Sequence, residues 1–136
     1  MKLFDFCISA IMFYVCGYAI CTSADFGIIG NGKFFTIGFD NIDYLDWFLK
    51  YSQCCVCVTL VSRSLAERTY IYSYMIFIGI MSSIIFPIAN SWVNDNGWLN
   101  KLGYHDAAGS SYIHMVGGIC GLVGNICLGP RIGIFD

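Results

Sequence analysis

Asp106 and His114 stand eight positions apart in the stretch D-A-A-G-S-S-Y-I-H-M-V-G-G, 106–118. A carboxylate and an imidazole thus sit at the entrance of an apolar, glycine-rich segment. Titratable groups are expensive inside a bilayer and mark functional sites there by default. The carboxylate could provide a field for a cation. The imidazole could take up or release a proton near neutral pH. Asp106 also suits a plainer role, as the N-cap of a helix, because small residues follow it before an apolar run. The two roles are compatible. For His114 the plain alternative is a packing histidine bonded to backbone.

The elements that must position these residues follow from composition. Of 136 residues, 57% are hydrophobic and 12% charged, against about 25% charged in soluble domains. Mean hydropathy is +0.67. A chain so poor in charge cannot cover a water-facing surface, and lipid is the natural environment. The net charge is −2, and with no basic run there is no electrostatic footprint for nucleic acid.

Apolar runs of about 20 residues match the hydrocarbon thickness. The sequence predicts an all-α membrane protein with four transmembrane helices, over about 4–23, 44–62, 69–89 and 111–128, in one domain covering 1–136. Asp5 lies near the start of the first run, and no clean small-residue cleavage site precedes Asp25, so the run is not an ordinary signal peptide. Basic residues alternate between the ends of the spans: Lys2, then Arg63 and Arg68, then Arg131 fall on one side. That pattern places both ends of the segment in the cytoplasm. Trp92 and Trp98 suit an interfacial belt. Gly117, Gly118, Gly121 and Gly124 repeat at spacings of three or four where a neighbouring helix can approach closely, and Asn125 on the same span calls for a hydrogen-bond partner.

Eight cysteines lie mostly inside apolar runs, where thiols act as small hydrophobes. Cys54, Cys55 and Cys57 cluster, but no second pair stands at zinc spacing. The sequence calls for no metal, no cofactor and no catalytic residue. A hydrolase reading would use Ser110 or Ser111 with His114, yet no G-x-S-x-G elbow is present.

Four sequence blocks together carry a family resemblance: D-F-C-I-S-A-I-M-F-Y-V-C-G-Y-A-I, S-L-A-E-R at 64–68, P-I-A-N-S-W…G-W-L…L-G-Y-H-D-A-A-G-S-S-Y-I-H, and L-G-P-R-I-G-I-F. In this order they resemble the ammonium transporters of the Amt/Mep/Rh superfamily, over roughly helices two to five. The resemblance implies ammonium or ammonia transport through the plasma membrane by a homotrimer with one pore per subunit. Each pore is apolar and carries two histidines, one from each half of an inverted repeat. His114 matches the first of these, and Asp106 matches the aspartate near the outer recruitment site. Against the same pattern, Asn94 stands where a tryptophan shields the outer cation and Gln53 where a phenylalanine gates the pore. Arg63 replaces a glycine, and Ala107 replaces a common phenylalanine. The substrate pathway expected in this chain is therefore His114, Asp106, Gln53 and Asn94. The resemblance also implies that the chain is part of a longer transporter, since the family builds its pore from both halves. The alternative is a truncated, non-conducting relative that joins full-length subunits.

The chemistry is independently sensible. An ammonium ion offers four donors and one charge, which a carboxylate field and an aromatic face can hold. A dry passage penalises the charged form and favours its deprotonation.

Overall fold

The computed structural model of the protein describes residues 2–22 and 33–130. Arg131 and Asp25, used above, lie outside the described residues. The described residues form four long helices and one short one. We number them α1 to α5. α1 is Lys2–Thr22, α2 is Asn41–Leu65, α3 covers 71–93, α4 is Trp98–Lys101 and α5 is Ser110–Leu128.

Three segments are long and apolar enough to cross a membrane: Lys2–Thr22, Ile71–Lys101 and Ser110–Leu128. The remaining long helix, α2, has 25 residues and so a length of about 37 Å. It is less apolar because it carries Asp43, Asp46 and Lys50 near one end and Arg63 near the other. The stretch between is uncharged, and α2 packs against both α1 and α5. It therefore lies in the bundle beside the three apolar spans, between α1 and α5. Arg63, which stands where the family pattern has a glycine, is exposed.

Starts and stops have local causes. The backbone N–H of Asp40 donates to Asp43 Oδ2 at 2.9 Å, as in a capping box at the head of α2. Pro87 lies inside α3. It has no N–H to give the carbonyl one turn earlier, and its ring crowds that carbonyl. The helix relieves the conflict by widening into a π stretch at Met81–Ile85, directly before the α stretch Phe86–Val93. Ser82 and Ser83 donate their hydroxyls back to the carbonyls of Ile78 and Gly79. Two further π stretches, Phe13–Gly17 in α1 and Ser110–Met115 in α5, have no proline to explain them. Such insertions concentrate at functional sites.

The core contains Phe13, Tyr18, Cys54, Val58, Tyr74 and Phe86 among other residues. The outer surface is apolar as well: Leu3, Ile11, Leu45, Val56, Ile76 and Ile84 are all exposed. A water-facing protein does not tolerate so much exposed apolar surface, whereas hydrocarbon solvates it.

Two interior contacts fix the helix positions. Asp5 of α1 is 1% exposed. It accepts from Ser62 Oγ of α2 at 2.9 Å and from the Tyr74 hydroxyl of α3 at 2.5 Å, and the two hydroxyl oxygens lie side by side. A buried carboxylate thus ties three helices at one point. On the other side of α2, the glycines of α5 set the spacing. A Cβ on Gly117 would meet the Cys57 carbonyl at 3.2 Å, one on Gly121 the Ser64 Oγ at 2.8 Å, and one on Gly124 the Leu65 Cδ2 at 2.5 Å. Gly118, expected on this face, meets nothing within 4 Å and does not belong to the contact. Asn125 Oδ1 is buried without a partner among the described residues, so the expected interhelical bond to that oxygen is not made.

The A-E-R and G-P-R blocks meet. Arg68 Nη1 donates to the Gly129 carbonyl at 2.7 Å, which joins the turn after α2 to the end of α5.

Candidate functional site: a polar mouth above an apolar bundle

The D-A-A-G-S-S block is a folded turn whose spacing has a geometric cause. Gly109 sits at φ +74°, and a Cβ there would lie 2.6 Å from Ile113 Cδ1, so only glycine fits comfortably. This left-handed residue turns the chain back over Asp106. Asp106 Oδ1 then accepts from the amides of Ala108 at 3.2 Å and Ser110 at 3.0 Å and from Ser110 Oγ at 3.1 Å. Oδ2 accepts from the Ser111 amide at 2.7 Å and from its hydroxyl. Partial desolvation acts to raise the carboxyl. The bonds from Ser111, and then from the amides of Ala108 and Ser110, outweigh it and hold Asp106 well below the usual carboxylate range. Both serine hydroxyls are spent on this carboxylate, which leaves neither presented to His114 as a nucleophile.

Asp106, Gln53 and Asn94 come together. They line one cavity of about 330 Å³ at the end of the bundle, with Lys50, Asp95 and His105 also in its wall. Tyr112 lines the same cavity as Gln53. The Tyr112 ring meets Phe86 at 6.1 Å and Phe86 meets Phe13 at 6.2 Å. Residues from four helices and the loop before α5 thus converge there, and Tyr112 links the cavity to the Phe86–Phe13 ring contacts. Two of the π stretches, those holding Phe13 and Tyr112, contribute to those contacts.

His114 does not line this cavity. It is exposed on α5, next to the exposed apolar residues Met115, Ile119, Leu122, Val123 and Ile126. The residues expected to line the pathway therefore fall in two places: three at the mouth, and the histidine farther along α5.

Lys50 was not among the residues singled out from sequence. Its Nζ lies 2.8 Å from Asp46 Oδ2 and 5.7 Å from the Tyr18 ring centroid. The Tyr18 hydroxyl donates to the same Asp46 oxygen at 3.1 Å. The available signal was a lysine inside an apolar span, one turn after an aspartate and three residues before Gln53.

The fold and the polar mouth define a multi-pass α-helical membrane protein with a charged entrance to an apolar interior. The comparisons place it further. The Ammonium Transporter Family model matches residues 1–136. The chain is 33% identical to a putative ammonium transporter of Synechocystis sp., over 98% of this chain and 32% of that protein. It is 32% identical to ammonium transporter 3 of Dictyostelium discoideum, over 99% of this chain and 32% of the relative. Among solved structures, a Sensor Amt Protein superposes with a TM-score of 0.88 and 27% identity, over 96% of this chain and 35% of that one. The chain belongs to the ammonium transporter family. It spans about a third of the length of these relatives.

Proposed function

We propose that this chain forms one part of the conduction path for ammonium or ammonia in a longer transporter of the cell membrane. The observation that carries the reading is the turn at 106–111, which sets Asp106 beside Gln53 and Asn94 in one cavity at the head of an apolar bundle. Ammonium reaches this mouth and exchanges water for amide and hydroxyl oxygens. The carboxylate of Asp106 is fully occupied by its own turn. It therefore positions the loop and contributes its field, while Asn94, Gln53 and Tyr112 offer the nearer polar contacts. Beyond them, the rings of Tyr112, Phe86 and Phe13 and the apolar helices make the charged form costly, so ammonium gives its proton to water at the mouth and ammonia passes. His114 faces the path where the remainder of the protein covers the exposed side of α5. There its imidazole provides a nitrogen acceptor and proton carrier. In this reading three copies assemble as a homotrimer with both ends of the segment in the cytoplasm.

The test is uptake of labelled methylammonium by proteoliposomes holding the complete gene product. Asp106→Asn and His114→Ala are each expected to lower uptake at least tenfold while the protein remains monodisperse. Uptake unaffected by both substitutions refutes the proposed pathway.

A further inference from the structure

The mouth carries several carboxylates, yet nearly all are already satisfied. Asp43 is paired with Lys33. Asp106 accepts five hydrogen bonds from its own turn. Asp46 holds Lys50 and the Tyr18 hydroxyl. Lys50 itself is 9% exposed. It lines both the cavity shared with Asp106 and an adjoining one of about 370 Å³ walled by Tyr18, Asp43 and Asp95. Its ammonium group has the partners that a free ammonium ion would seek: a carboxylate oxygen at 2.8 Å and an aromatic ring at 5.7 Å. Burying a charge in such a place requires pairing of this quality. The same two partners suit any small cation carrying N–H donors.

We propose that Lys50 is a tethered ammonium that occupies the cation position of the mouth and thereby sets how weakly the transporter holds external ammonium. This deepens the transport reading and rests on it. A second cation entering the cavity must either displace the lysine head from Asp46 or sit beside it, and like charges at such range repel strongly in a partly desolvated site. Lys50 is thus a specificity-determining residue. It favours a low-affinity mouth that fills only at high external concentration. Removing its charge frees Asp46 and Tyr18 for the substrate.

The complete gene product in proteoliposomes decides this, by the external methylammonium concentration that gives half-maximal uptake. Lys50→Met keeps the aliphatic stem and removes the charge, and it is expected to lower that concentration about tenfold. Lys50→Arg retains the cation and is expected to keep the parent value within about twofold. Asp46→Asn leaves the lysine uncompensated, and it is expected to raise the value severalfold. Because this variant shifts in the opposite direction and leaves Lys50 in place, it tests the proposal even where Lys50→Met does not fold. A parent protein that transports, with a half-saturating concentration unchanged in Lys50→Met or in Asp46→Asn, overturns the tethered-cation role and leaves the transport reading standing. No uptake by the parent or any variant overturns both.

Discussion

At the scale of single residues, Asp106 is committed to its own turn. Five donors from three neighbouring residues converge on it, and they hold its carboxyl below the ordinary carboxylate value of about 3.9. The sign of the pH effect follows. A group whose folded value is depressed contributes stability above its unfolded value and loses that contribution as pH falls toward the folded one. Thermal stability of the complete protein is therefore expected to be insensitive to Asp106 between about pH 5 and 8 and to fall below about pH 4. Asp106→Asn should flatten part of that acid-side decline, as read by the melting temperature across a pH series. The sequence made the N-cap and the pathway role equally available to Asp106. The positive φ of Gly109 and the two serines determine how it acts.

At the scale of elements, the helices are held by a polar tie and a close apolar approach. Asp5, Ser62 and Tyr74 bring α1, α2 and α3 to one buried point. Asp5→Ala leaves two hydroxyls without their acceptor. The change is expected to destabilise the protein by about 1–3 kcal/mol, and Asp5→Asn, which keeps an oxygen acceptor, by less. Denaturation in a graded detergent series reads both. The approach of α5 to α2 depends on glycines at 117, 121 and 124. A methyl on residue 124 would press on Leu65 Cδ2, 2.5 Å away, so Gly124→Ala is expected to cost roughly 1–3 kcal/mol. Leu65→Ala in the same chain should recover part of that loss, which separates a steric clash from a helix-propensity effect. The glycine spacing was legible in the sequence, but which glycines make the contact was not. Three- and four-residue spacing marks a broad stripe, and the crossing of α2 selected Gly117, Gly121 and Gly124 and left Gly118 free.

At the scale of the whole molecule, the charges define two ends. Lys2, Arg63 and Arg68 gather at the end where Arg68 reaches the Gly129 carbonyl. Asp46, Lys50, Asp95 and Asp106 surround the mouth at the other end. If the basic end is cytoplasmic, single cysteines introduced at Arg63 and at His105 in a cysteine-free background should react with an impermeant maleimide from opposite sides of intact cells. The position at 105 should label from outside and the one at 63 only after permeabilisation. Labelling of both from the same side refutes the four-span orientation.

Run length, motif order and composition by themselves determined the all-α membrane class and the family, because hydrophobic thickness and motif spacing are properties of the linear chain. Tertiary structure alone decided that Gln53, Asn94 and Asp106 share one cavity and that Arg68 meets the end of α5. It also decided that Lys50 faces the mouth beside the Tyr18 ring of α1. Each of these depends on how helices rotate and cross. A lysine inside an apolar run is an isolated charge in sequence, and it becomes part of a site only when packing against α1 sets it beside the Tyr18 ring.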